Sequence, residues 1–130
     1  MTRFTRSSLV LICALTAGGL LGACSSSSSS PAQTLPASID LEVHAVSGLK
    51  FDQTNYSAAA GEISVGYVNE DSIRHNIVVV QDETMISGFE LQVNKNGDID
   101  SGSVTLEAGT YLLLCTVPGH QSMKAELTVS

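Results

Sequence analysis

From residue 39 to residue 130 the apolar side chains recur with a period of two and nowhere with a helical period, and that pattern allows little besides sheet. Ile39, Leu41, Val43 and Ala45 alternate with Asp40, Glu42 and His44. Ile63, Val65 and Tyr67 repeat the alternation, as do Val104 with Leu106, and Ala125, Leu127 and Val129 against Lys124, Glu126 and Thr128. In a strand successive side chains point to opposite faces, so each stretch presents one apolar face and one wet one. Two runs, Ile77–Val80 and Tyr111–Val117, are apolar on both faces and read as central strands covered on both sides. Turn residues separate the strands at Ser47-Gly48, Gly61, Asn96-Gly97 and Gly109, of which Asn96-Gly97 is the strongest hairpin signal. The expectation is an all-β domain over residues 39–130, an antiparallel Greek-key β-sandwich of about eight strands. Any helix would be short and lie within Asp82–Gly88.

The first 38 residues have a different composition. Arg3 and Arg6 precede an uncharged apolar stretch, Leu9–Ala23, that is shorter than the roughly 20 apolar residues of a membrane-spanning helix. Residues 1–23 therefore read as an export signal. The stretch ends Leu21-Gly22-Ala23-Cys24, which resembles the lipobox of bacterial lipoproteins. The resemblance implies that Cys24 is lipidated, becomes the mature N-terminus and anchors the chain to a membrane. Ordinary signal cleavage would instead leave Cys24 as a free thiol. Six serines, Ser25–Ser30, and the segment Pro31–Ser38 follow without any apolar period. Residues 24–38 read as the lipidated cysteine and a flexible linker, with a reach of roughly 20 Å. The chain would be exported and held at the outer face of a bacterial cell membrane or in the periplasm.

Charge narrows the partners. Six basic residues against thirteen acidic ones give −7, and loss of Arg3 and Arg6 with the signal leaves four against thirteen, or −9. A chain this acidic has no electrostatic grip on phosphates, so nucleic acid is excluded as a partner. Basic docking surfaces on other proteins would be favoured by long-range steering.

The cysteine count carries the most chemistry. Cys13 leaves with the signal and Cys24 takes the lipid, so one cysteine, Cys115, remains in the domain. It cannot form a disulfide there. An unpaired cysteine in an oxidising compartment is a buried inert residue, a reactive thiol or a metal ligand. Cys115 opens the segment Cys115-Thr116-Val117-Pro118-Gly119-His120-Gln121-Ser122-Met123, which places a thiolate, an imidazole and a thioether on one loop between two strands. These donors suit copper. His75, at the start of the other all-apolar run, is the candidate fourth. Taken singly each residue has a structural explanation: Cys115 and Met123 as core, His75 as a satisfied polar residue at a strand mouth. Their joint occurrence points to copper. His44 shares the exposed side with Asp40 and Glu42, and Met85 sits in a polar loop without partners, so neither joins the set.

With these residues the domain, from about Ile39 to Ser130, resembles the cupredoxins, the type 1 blue-copper proteins. The matching points are His75-Asn76 and the Cys115–Met123 loop. The resemblance implies one copper held equatorially by Cys115, His75 and His120 and axially by Met123, with Asn76 tying the two ligand loops together. It also implies a non-enzymatic one-electron carrier whose His120 ring lies near the surface, exchanging electrons with redox protein donors and acceptors. One feature departs from the family's patterns. Four residues separate Cys115 from His120 but only two separate His120 from Met123, a combination that would also let Gln121 or a backbone oxygen approach the metal. Two other functions fit the same sequence: a copper chaperone, and a non-metal β-sandwich interaction module. Only Met85 and Met123 remain once Met1 is removed, which is poor for delivery. A dinuclear copper site would need a second loop cysteine, and a catalytic copper would need histidines beyond His44.

Overall fold

The computed structural model describes residues 32–130. The segment read as an export signal, Cys24 and the serine run lie outside the described residues. Ten strands follow one another: β1 (Leu41–Val46), β2 (Lys50–Phe51), β3 (Asn55–Ala58), β4 (Gly61–Asn69), β5 (His75–Gln81), β6 (Thr84–Met85), β7 (Leu91–Val93), β8 (Ile99–Leu106), β9 (Gly109–Leu114) and β10 (Lys124–Val129). They form two sheets, β2-β1-β4-β8 and β3-β10-β9-β5-β6, with β7 added along β5. The strand count exceeds the expected eight because β2 and β6 have two residues each, too short to show any period.

Two ladders are parallel, β1 with β4 and β10 with β3. The antiparallel expectation fails there because β3 crosses to the second sheet before β4 returns to the first. A crossover, unlike a hairpin, delivers its strand in the same direction. Burial otherwise follows the alternation, strictly so in β10, where Ala125, Leu127 and Val129 point inward and Lys124, Glu126 and Thr128 outward. The core lies between the sheets, with Val43, Ile63, Val65 and Tyr67 meeting Ile77, Val79, Leu113 and Leu127. Each such side chain contributes about 1.5–3 kcal/mol through removal from water.

Three local expectations are corrected. The Asp82–Gly88 stretch holds no helix. Asp82 (φ 48°) and Glu83 (φ 62°) form the two-residue turn that pairs Gln81 with Thr84, and positive φ at both positions is the hairpin geometry that matches strand twist. Asn96-Gly97 does turn the chain, with Gly97 at φ 83°, but β7 pairs with β5 and β8 with β4, so the turn joins two ladders rather than closing a hairpin. The Asp98 carboxylate holds this corner by accepting the backbone N–H groups of Asn94 and Lys95. Finally, β5 is buried on both sides from His75 to Val79, whereas Leu112 and Leu114 on β9 are only half-buried.

The segment before β1 does not stand free of the domain. Gln33 accepts a hydrogen bond from the Ile99 N–H at 3.2 Å, and Leu35 lies across β4 at Gly66. A first side-chain carbon on residue 66 would fall 2.7 Å from Leu35 Cδ2 and 3.2 Å from Ile39 Cγ2, closer than carbon atoms pack. Glycine at 66 is the slot that lets the strap seat. Gly66→Ala is therefore expected to lift Leu35 off the sheet. Limited proteolysis should then cut within residues 32–39 at least tenfold faster, while half-burial of one leucine limits the loss of stability to about 1 kcal/mol. Unchanged cleavage would mean that the strap is not seated there in solution.

Candidate metal centre

Strand register builds the site. In the β5–β9 ladder Val78 faces Leu114 and Val80 faces Leu112, so continuing past β9 brings Thr116 opposite Asn76 and Cys115 opposite Ile77. Cys115 has the parity of Tyr111 and Leu113 and points into the core. His75 has the parity of Ile77 and Val79 and points the same way. Asn76 points to the other face, where its Oδ1 accepts the Thr116 N–H at 2.8 Å and its Nδ2 donates to Thr116 Oγ1 at 2.7 Å and Glu90 Oε1 at 2.7 Å. The amide thus stitches the His75 strand to the Cys115 loop.

The loop returns through two consecutive turns. His120 N–H donates to the Val117 carbonyl at 2.9 Å around Pro118-Gly119, with Gly119 at φ 88°. Proline then glycine at these two positions is the type II signature, because only the second needs positive φ. Met123 N–H donates to the His120 carbonyl at 2.8 Å, and the Cys115 N–H to the Met123 carbonyl at 3.0 Å closes the loop. The short His120–Met123 spacing is therefore a single turn, and it returns Met123 to the core with no exposed surface.

His75, Cys115 and His120 converge, each offering a donor atom within 4.8 Å of the other two. Cys115 Sγ lies 3.8 Å from His120 Nδ1, and the two imidazole rings stand 4.9 Å apart at 47°. A first-row ion with sulfur at about 2.3 Å and nitrogen at about 2.0 Å, spread trigonally, requires a sulfur–nitrogen separation of about 3.7 Å. The Cys115–His120 pair is already spaced for one ion. His75 and Cys115 are wholly buried, while His120 is partly exposed.

His75 Nδ1 is buried and has no hydrogen-bonding partner in the protein. Orphaned buried polar atoms are rare, and a lone pair reserved for a metal accounts for this one. Its other nitrogen, Nε2, lies 3.1 Å from Asp71 Oδ2. Asp71 belongs to the β4–β5 connection. Its Oδ1 accepts the Ser72 N–H at 2.7 Å, and that bond, opposed by desolvation and aided by His75, holds its carboxyl below the usual range. No local pattern marks Asp71, since its role depends on how the connection folds back over His75. Beneath the site Tyr67 is wholly buried and its phenol is pushed above its ordinary range by burial and by the charge of Cys115.

The residues set aside stay outside the centre. His44 is clasped by Glu70 Oε1 at 2.6 Å and Glu42 Oε1 at 2.8 Å rather than standing free in solvent. Burial lowers its pKa, but the two carboxylates outweigh that and leave it raised. Met85 is exposed on the β5–β6 hairpin.

Residues 37–130 match the profile of copper binding proteins of the plastocyanin/azurin family. No curated protein matches the chain in sequence. Among solved structures, an azurin from the obligate methylotroph Methylomonas sp. strain J superposes with a TM-score of 0.59 at 17% identity, over 72% of this chain and 99% of that one. A purple cupredoxin from Nitrosopumilus maritimus gives 0.56 at 25% identity, over 70% and 100%. A reduced amicyanin variant gives 0.51 at 24% identity, over 69% and 81%.

Proposed function

The chain belongs to the plastocyanin/azurin family of copper-binding proteins, and on that premise we propose that it is a type 1 copper protein that carries single electrons and performs no substrate chemistry. In this reading His75 Nδ1, the Cys115 thiolate and His120 Nδ1 would hold the copper, with the Met123 thioether as a further donor. The observation that carries it is the convergence of the three donors with a buried, unpartnered Nδ1 among them. Copper supplies a one-electron couple, and a site held between the preferences of its two oxidation states changes state with little rearrangement.

The protein's part is rigidity. His75 and Cys115 sit on paired strands inside the core, Asn76 locks the two ligand-bearing segments together, and the Pro118-Gly119 turn fixes His120. Only His120 among the three reaches the surface, which makes its ring the contact for redox partners. The acidic balance of the chain favours partners with basic docking faces. We place the protein outside the cytoplasm, anchored through a lipid on Cys24 at the outer face of a bacterial membrane or in the periplasm. Buried ligands argue against delivery, which needs a site open to an acceptor.

Copper(II) titration of the purified domain tests the reading. An intense visible band should grow to one equivalent, since a thiolate bound to copper(II) gives strong charge transfer. A protein that stays colourless through several equivalents is not a type 1 copper protein.

A further inference from the structure

The two histidines of the centre are held in different ways. His120 rides on a turn and is partly exposed, whereas His75 is wholly buried and aims one nitrogen at a carboxylate. A carboxylate can only accept, so the 3.1 Å contact places the imidazole proton on Nε2 and leaves the buried Nδ1 with a lone pair and no hydrogen-bond partner, on a residue that converges with Cys115 and His120.

Asp71 is built to do this. It is 8% exposed, and one oxygen is occupied by the Ser72 N–H at 2.7 Å with Ser47 Oγ at 3.5 Å, which leaves the other for His75. Its own N–H donates to Asn69 Oδ1 at 2.9 Å. Asn69, 1% exposed, donates through Nδ2 to the Ile73 carbonyl at 2.8 Å and so closes the connection on itself. The same residue is anchored from the β7–β8 corner, where its carbonyl accepts the Gly97 N–H at 2.8 Å and its N–H donates to the Asp98 carbonyl at 2.9 Å. Three layers of hydrogen bonds therefore aim one carboxylate oxygen at one nitrogen. So much fixed polar structure around a ring that needs only a single acceptor indicates a purpose beyond packing.

We propose that Asp71 is the positioning residue of the centre: it holds His75 as the Nε2–H tautomer with Nδ1 presented to the metal, and its negative charge biases bound copper toward the divalent state. The second half rests on the copper reading above; the first does not. An acceptor behind a ligating imidazole orients the ring and raises its basicity, and a charge about one ring-width from the ion favours the higher oxidation state.

The two halves are tested separately with Asp71→Asn, which keeps the shape and an acceptor oxygen but removes the charge, and Asp71→Ala, which removes both. In the metal-free protein, nitrogen-15 NMR of the His75 ring should show a fixed Nε2–H tautomer in the native chain and in Asp71→Asn, and a mixture of tautomers in Asp71→Ala. In copper-loaded protein equilibrated with a fixed redox buffer, Asp71→Asn should raise the ratio of reduced to oxidised copper about tenfold, equivalent to about 59 mV for one electron. A single tautomer surviving in Asp71→Ala would overturn the positioning role. A ratio unchanged in Asp71→Asn would overturn the charge role. Failure of the native protein to bind copper would sink the redox half and the copper reading together, while the tautomer measurement would still decide the rest.

Discussion

Cys115→Ser is expected to abolish, together, the visible band of the copper protein and the rise in melting temperature that copper produces. The thiolate is the ligand that only cysteine supplies here; a serine hydroxyl stays protonated at neutral pH and is a harder donor that copper(I) does not favour. The size of the effect follows from linkage. Copper present at about 100 to 1,000 times its dissociation constant stabilises a native state that alone binds it by about 2.7–4.1 kcal/mol. In a domain of this size each kcal/mol is worth about 4–8 °C, so the native protein should gain about 10–30 °C on loading. Serine at a wholly buried position also lowers the metal-free stability, by about 1–3 kcal/mol for an unpaired hydroxyl. Each variant must therefore be compared with its own metal-free form by calorimetry. A Cys115→Ser protein that gains as much from copper as the native one would show that the sulfur is not a ligand.

The loop from Cys115 to Met123 was legible in the sequence because it is one local connection. Donor spacing along ten residues or fewer survives any arrangement of the rest of the fold, and the Pro118-Gly119 pair announces the turn that places His120. The contribution of His75 was legible only as a chemical possibility. What brings it in is the pairing of β5 with β9, a long-range register that no local pattern encodes. Asp71 is a stronger case of the same limit. It lies four residues before His75, where nothing in the sequence distinguishes it from Glu70 beside it, yet Glu70 turns outward to His44 and Asp71 inward to the ligand.

The strands were readable wherever one face is buried and the other wet, as in β1, β4 and β10. Their partners were less so. Asn96-Gly97 has the chemistry of a hairpin turn, and that chemistry was used, but the chain on either side finds better ladders elsewhere. Asp82-Glu83 makes the opposite point, a tight hairpin formed without glycine because the flanking strands impose it. Leu35 shows how composition can mislead. Amid serines, prolines and alanines it looks like linker, and only the bare backbone of Gly66, thirty residues on, provides its seat.

Substitutions at Met123 separate packing from ligation, which burial alone cannot do, because a core methionine and an axial one are equally hidden. Met123→Leu keeps volume and apolarity, so it should cost less than about 1.5 kcal/mol of metal-free stability. If the thioether faces copper, the same change removes a donor to copper(II), and the reduction potential rises. Met123→Gln should move the potential the other way, since an amide oxygen favours copper(II) more than sulfur does. Met123→Ala opens a cavity and should cost about 2–5 kcal/mol whether or not the sulfur binds. Potentials measured by redox titration beside melting curves then give two independent readings of one side chain. A potential that stays fixed in the leucine and glutamine variants, while the alanine variant loses stability, would make Met123 purely a core residue. The axial position would then belong to Gln121 or to a backbone oxygen of the loop. The single turn between His120 and Met123 favours the sulfur, because it carries the side chain from a ligand directly into the enclosed face that His75 and Cys115 share.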